Sequence, residues 1–309
     1  MNEFELIETY FNWGATDPST HLGIGDDCAV INVEPGYQLL SSVDTLLEGV
    51  HFSSNTSAQD IAYKALAVNL SDLAAMGATP KYFTLALTLP NIDEQWLDDF
   101  SASLKELANE YKLSLVGGDT TKGPLSITIN ITGQVKKGKA LLRSSAQVGD
   151  GIFVSNTLGD AAYAWRQIQN NQMPSKNCLS QLNRPKPQVQ LGQNLIGIAN
   201  ACIDISDGLE QDLSHVLHRS GVGASINVNK LMLSDEVSVY VNKSNDWCIA
   251  LAGGDDYELC FTVPEDRIAR LESITRELGI TLTQIGVITQ EKGLLIEGID
   301  KTCESYQHF

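Results

Sequence analysis

Carboxylates beside glycine or serine recur along this chain. GIGDD carries Asp26 and Asp27, SSVDT carries Ser42 and Asp44, NLSD carries Asp72, and GGDTTKG carries Asp119; DISDGLEQD then supplies Asp204, Ser206 and Asp207, and GGDDYE supplies Asp255, Asp256 and Glu258. Taken singly, each acid has an ordinary structural role as a turn residue after Gly-Gly, a helix cap, or the wet face of a helix. As a set they suggest more, because several follow strand-like apolar segments, where α/β proteins place their sites. Three such groups about 5 Å apart would repel by roughly 3 kcal/mol per pair at an effective dielectric of ~20, so either some stay protonated or cations intervene. Oxygen-only donors select Mg²⁺ or Ca²⁺ over Zn²⁺, and no spaced Cys/His set offers a zinc site. A calcium loop of the D-x-[DN]-x-[DN]-G type is missing too, since DISDGL has the wrong spacing. Mg²⁺ keeps several waters and is completed by substrate phosphates, which points to phosphoryl chemistry.

Gly23, Gly25, Gly117 and Gly118 would let backbone approach a polyphosphate without Cβ interference. The familiar nucleotide signatures G-x-x-x-x-G-K-[ST] and G-x-G-x-x-G are both missing. Lys136, Lys137, Lys139 and Arg143 form the positive cluster of an acidic chain. The lysines read as a solvated linker, whereas Arg143, inside the more apolar ALLRSSA, is the better phosphate contact. His51 follows the Asp44 strand directly and is a candidate substrate contact, although a lone histidine is more often structural. His215 and His218, three apart on a helical pattern, read as surface or interhelix residues.

Apolar alternation marks strands at 38–44, 81–89, 113–118, 125–135, 151–155, 223–228, 257–263 and 281–288. Helical patterns fall between them at 59–77, 93–112, 187–200, 208–221 and 265–279. This interleaving means an α/β or α+β chain with mixed sheets. The glycine-punctuated, locally basic stretch 136–151 separates two groups of elements, so two domains are expected, 1–140 and 141–309. Each half contains a Ser-Asp beside a helix and a Gly-Gly-Asp turn, a faint echo of two related halves.

At 309 residues, 43% hydrophobic and 19% charged, the composition is that of a folded soluble protein. With 21 basic against 38 acidic residues, the formal charge of −17 disfavours nucleic acid as a partner. No apolar run approaches a membrane span, and the N-terminus carries acids where a secretory signal would carry Lys or Arg, so a cytoplasmic protein with no membrane partner is expected. Six cysteines are scattered without a C-x-x-C pair and read as buried thiols of a reducing compartment.

In this order, GIGDDCAV, VDTLLEGVHF, YKALAVNLSDLAAMGATP, GGDTTKGPL, ALLRSSAQVGD, RPKPQV, DISDGLEQDL and GGDDYELCFTV resemble the thiamine-monophosphate kinase family from about residue 4 to the end of the chain. That family belongs to the superfamily named for aminoimidazole ribonucleotide synthetase. The resemblance implies a two-domain fold and a homodimer formed through the N-terminal sheet. It also implies an activity: ATP donates its γ-phosphoryl group to thiamine monophosphate by direct in-line transfer, the last step of thiamine diphosphate synthesis, with several Mg²⁺ ions assisting. Asp27, Ser42, Asp44, Asp72, Asp119, Asp204 and Asp207 match the metal ligands; Gly118, Asp119, Arg143 and Ser206 match the ATP contacts. Asp44, Asp119 and Arg143 are then the catalytic set, with Asp26 supporting from behind. His51 and Asp255 match the thiamine side, where the family usually has Glu in place of Asp255. The family's substrate-stacking aromatic aligns with Cys303, and Tyr306 is the available substitute. Other ATP-using members of the superfamily, and a non-catalytic cation- or nucleotide-binding dimer, are the competing readings. The chain carries neither a cysteine before Cys28 nor a C-terminal cysteine, against the selenium-handling and carbamoyl-accepting members.

Overall fold

The computed structural model describes residues 2–14, 17–299 and 303. The chain divides into two compact units, Met1–Leu73 with Ala78–Gly138, and Ala74–Gly77 with Lys139–Phe309.

The first unit opens with α1 (Glu3–Tyr10), started by a capping box: the Asn2 side chain accepts the Glu5 N–H and the Glu5 carboxylate accepts the Asn2 N–H. Then come β1 (Thr20–Leu22), β2 (Val30–Ile31), β3 (Tyr37–Leu47), α2 (Ala58–Ala75), β4 (Thr79–Leu89), α3 (Glu94–Glu110), β5 (Ser114–Lys122) and β6 (Ser126–Lys136). The larger sheet has the order β3-β6-β4-β5, with β4 and β5 parallel across the α3 crossover and β6 antiparallel to both its neighbours. Period-two alternation builds it: Ile127, Ile129 and Ile131 of β6 are buried, as are Phe83, Leu85 and Leu87 of β4. Each such side chain contributes roughly 1.5–3 kcal/mol when taken out of water. Helices cover this face. Leu97, Phe100, Leu104 and Leu107 make the buried stripe of α3, whose start is capped by Asp93 accepting the Trp96 N–H. In α2 the burial runs nearly all round, Ala62, Leu66, Ala67 and Leu70 being inaccessible, and its Asp72 meets Ser42 of β3. The other face of the sheet leaves Leu39, Val43 and Leu47 exposed, with the Thr45 and Thr128 hydroxyls hydrogen-bonded across the strands at 2.8 Å.

The second unit runs β7 (Gly151–Ser155), α4 (Asp160–Gln169), α5 (Lys176–Asn183), α6 (Val189–Leu195), β8 (Ala201–Asp204), α7 (Leu209–Ser220), β9 (Gly223–Asn227), α8 (Asp235–Ser244), α9 (Cys248–Leu251), β10 (Leu259–Val263), α10 (Leu271–Leu278), β11 (Leu282–Thr289) and β12 (Gly293–Glu297). Its sheet has the order β12-β9-β11-β7-β10-β8 and is antiparallel except between β12 and β9. The strands β7, β8 and β10 are buried at every residue, so both faces of this part of the sheet are covered.

Helices expected at 59–77, 93–112 and 208–221 are α2, α3 and α7, with ends that differ by one or two residues. The one expected over 187–200 stops at Leu195, because the chain must turn there to feed β8. The one over 265–279 begins as a 3₁₀ segment, Glu265–Arg270, before α10. Among the described residues no helix is long and apolar enough to cross a membrane.

The cysteines differ from expectation. Cys248 and Cys303 form a disulfide, their Cα atoms 5.3 Å apart, and Cys28 is exposed, which leaves Cys178, Cys202 and Cys260 as buried thiols. Nothing in a 55-residue separation signals such a pair; the fold brings α9 and Cys303 together. Burial pushes the Cys178 thiol up to about 12 and raises Cys202 and Cys260 as well, so these groups are packing residues rather than nucleophiles.

Candidate active site

In the first unit, Asp26, Asp27, Gly118 and Asp119 line one cavity of about 690 Å³, walled on the apolar side by Phe4 and Phe11. The adjacent carboxylates of the GIGDD loop are divided in role: Asp26 accepts the backbone N–H of Asp27 at 2.8 Å and so folds back on its own loop. Gly118 is fixed by close approach to β4, since a Cβ there would lie 1.9 Å from the Leu85 carbonyl oxygen. Glycine at this point lets β5 pass close to β4 and carry Asp119 to the cavity.

Strand register relates this cavity to the other acids of the unit. Asp44 pairs with Ile129, Ile129 with Leu85, and Leu85 with Gly118, one row across all four strands. Three strand spacings, roughly 14 Å, therefore separate the Asp44 backbone from that of Gly118. Ser42, on the same side of β3 as Asp44, donates its hydroxyl to the Asp72 carboxylate at 2.5 Å. The acids thus form two groups, Asp26–Asp27–Asp119 and Asp44–Asp72 with Ser42. Among the described residues no three acidic, histidine or cysteine side chains are placed to hold one metal ion by themselves. All the donors are nevertheless oxygens, and one or two carboxylates per ion is the usual protein share of a Mg²⁺ site whose other ligands are water and phosphate.

His51 sits in the turn after β3, where Nδ1 accepts the Leu47 N–H at 3.0 Å and so leaves the proton of the neutral ring on Nε2. The buried Lys64 ammonium holds this turn through the His51 carbonyl, at 3.0 Å.

In the second unit, buried Asp204 ends β8 and exposed Asp207 stands in the turn that starts α7, accepting from Gln211 at 2.9 Å. One oxygen of Asp212, a turn into α7, accepts three successive amides: Ser206 and Asp207 at 3.0 Å and Gly208 at 3.1 Å. Burial, then the neighbouring Asp207 charge, push the Asp212 carboxyl up to about 7 against the pull of those amides. Asp255 adopts a left-handed backbone (φ +61°), donates its N–H to the Ser206 carbonyl at 2.8 Å, and accepts the Tyr257 hydroxyl at 2.9 Å. Below this loop Glu258 is buried against Ser155, Asn156 and Gln188, and burial pushes its carboxyl up to about 8 even though these partners favour the charged form. Asp256 accepts the Gly159 N–H at 2.8 Å while its second oxygen is buried without a hydrogen-bond partner; burial, reinforced by Asp160 and Glu258, raises its pKa. Arg143 is exposed, and its carbonyl accepts from the Ser220 hydroxyl at 2.9 Å.

The Cys303 sulfur is engaged by Cys248. Tyr306 lies outside the described residues. Sequence reading overlooked Asp212, Tyr257 and Lys64. For Asp212 a signal existed, an acid four residues after the glycine that starts a helix, one turn in and able to reach back.

Two families of domain match the chain in tandem. AIR synthase related protein, N-terminal domain, covers residues 25–135, and AIR synthase related protein, C-terminal domain, covers residues 147–297. Two mixed α/β units with glycine-linked acids at strand ends thus define an AIR synthase related protein. The chain is 47% identical to thiamine-monophosphate kinase of Haemophilus influenzae, over 95% of this chain and 91% of that one. It superposes on the crystal structure of thiamine-monophosphate kinase from Stenotrophomonas maltophilia K279a with a TM-score of 0.87 at 43% identity, covering 91% of this chain and 92% of that one. AaThiL complexed with AMPPCP and TMP gives a TM-score of 0.81 at 31% identity, covering 93% and 92%. Within its class the chain belongs to the thiamine-monophosphate kinase family.

Proposed function

We propose that this protein transfers the γ-phosphoryl group of ATP to thiamine monophosphate, giving thiamine diphosphate and ADP. The observation that carries the reading is the cavity where Asp26, Asp27, Gly118 and Asp119 meet, in a chain whose family includes AaThiL, a protein complexed with AMPPCP and TMP.

A phosphate monoester is already a nucleophile, so no strong base is required of the protein; the acceptor oxygen bonds to the γ-phosphorus as the bridging bond to the β-phosphate breaks. What must be supplied is charge neutralisation and alignment. Asp27, Asp44, Asp72, Asp119, Asp204 and Asp207, with Ser42, are oxygen donors suited to Mg²⁺, which when bound neutralises the phosphates that would otherwise repel. Asp26 holds the loop that presents Asp27. Gly118 gives backbone access to the nucleotide, Ser206 donates to it, and Arg143 stabilises charge at the transferring group. His51, with its Nε2 proton, and Asp255 orient thiamine monophosphate. Residues 1–140 then serve as the ATP- and metal-binding domain and 141–309 as its C-terminal α/β partner. The outer face bearing the exposed Leu39, Val43 and Leu47 supports pairing with a second copy, and the ATP requirement supports a cytoplasmic setting.

The test is an acceptor comparison. With ATP and Mg²⁺, thiamine monophosphate should yield thiamine diphosphate and ADP in equal amounts, and thiamine should yield neither. Intact ATP binding without turnover would mean a binding protein.

A further inference from the structure

We propose that Asp212 is the positioning residue of the second unit, fixing from one carboxylate both the Ser206–Asp207 turn and the Asp255 loop. The inference rests on the kinase reading of Ser206, Asp207 and Asp255. Three consecutive amides, those of Ser206, Asp207 and Gly208, converge on a single Asp212 oxygen. A short turn cannot aim three N–H groups at one point in more than a few conformations, so their shared acceptor selects the conformation. The grip passes onward through the Ser206 residue, whose N–H is held by Asp212 and whose carbonyl accepts the Asp255 N–H at 2.8 Å. Tyr257 N–H on the Ile205 carbonyl, also 2.8 Å, is the second stitch between the two loops.

Glycine makes the packing possible. A Cβ on Gly208, at φ +115°, would lie 2.7 Å from the Ala252 Cα, so the turn is pressed against the end of α9 with Asp212 behind it. The start of α7 has no side-chain cap from Gly208, and Asp212 reaches back from inside the helix to the Gly208 amide and the two before it. Asp207 is thereby left exposed, its carboxylate outside this hydrogen-bond cluster, while Tyr257 fixes Asp255 from the other branch.

Two variants test the assignment, Asp212→Ala, which removes the acceptor, and Asp212→Asn, which keeps one oxygen without the charge. Mg²⁺ titrated into protein with AMPPCP and followed by calorimetry should show a midpoint raised roughly 10–100-fold in Asp212→Ala and less in Asp212→Asn. KM for thiamine monophosphate should rise in both, and amide exchange at 206, 207, 208 and 255 should accelerate while β7 and β10 stay protected. Tyr257→Phe, which touches one branch only, should raise that KM and leave the Mg²⁺ midpoint alone. A role limited to capping α7 would lower the melting temperature yet leave the Mg²⁺ midpoint of the folded protein at the wild-type value. That result overturns the proposal, and Asp212→Asn decides it alone if Asp212→Ala does not fold. Asp207→Asn, run in parallel, separates the layers: a wild-type midpoint there removes Asp207 as a ligand, while amide exchange still decides whether Asp212 holds the turn.

Discussion

The acids of the two units are spent differently. In the first unit Asp27 and Asp119 stand exposed at a cavity, and the Ser42–Asp72 pair is only half-buried. In the second, Asp204, Asp212 and Glu258 are buried, and Asp212 and Glu258 are pushed toward their neutral forms and consumed in holding loops. The lesson is that one residue type serves two purposes according to its access to water. An accessible carboxylate keeps its charge available for a cation and its phosphates, whereas a desolvated one is a strong local acceptor whose worth lies in geometry. Asp207 and Asp255 are the less buried acids that the second unit's framework carries.

Substitutions on the two sides should therefore fail in different ways. Asp119→Asn and Asp44→Asn should cut kcat roughly 10³-fold, from several kcal/mol of lost charge neutralisation, with the melting temperature held. Steady-state kinetics beside thermal unfolding checks this, and near-wild-type turnover in both would remove the first-unit acids from the chemistry. Val43→Glu, a charge on the uncovered sheet face, should convert a dimer to monomer in light scattering, and an unchanged mass would exclude that face as the interface. Gly118→Ala forces β5 away from the Leu85 carbonyl and should cost about 2 kcal/mol, lowering the melting temperature by roughly 5 °C as well as impairing ATP binding. His51→Ala should raise KM for thiamine monophosphate roughly 5-fold, the worth of one hydrogen bond, and leave ATP affinity alone. An unmoved KM would withdraw its role.

The gentlest test uses pH. Glu258, faced by Ser155, Asn156, Gln188 and Lys186, has its carboxyl pushed up to about 8 from the ordinary 4.5. The folded protein thus holds a proton that the unfolded chain has released, so stability should fall as pH rises between those two values. Glu258→Gln should flatten that decline, measured as melting temperature against pH, and an unchanged slope would assign the decline elsewhere.

Much of this was legible before the fold was known. The alternation of SITINITGQV and the apolar period of 93–112 locate β6 and α3, because both segments bury one face. Short pieces were not legible: α4, α5 and α8 are amphipathic helices of eight to ten residues, whose few apolar positions offer little period to read, and β12 is a five-residue edge strand. At the site, glycine-linked acids marked Asp26, Asp27 and Asp119 because backbone approach and charge are local properties. The grouping of Ser42 with Asp72 and the Cys248–Cys303 disulfide are tertiary facts, set by which strand lies under which helix and by where the fold places Cys303. Tyr257 reaches Asp255 and Lys64 reaches the His51 carbonyl through tertiary hydrogen bonds, and no spacing rule announces them.

The central claim is that the first unit's exposed acids hold the metal of a metal–nucleotide complex. Calorimetry of AMPPCP binding with and without Mg²⁺, in the wild-type protein and in Asp119→Asn, addresses it most directly. Tight binding only with Mg²⁺, lost in the variant while the fold persists, is the expected result. Equal affinity with and without the metal, or in both proteins, would contradict it.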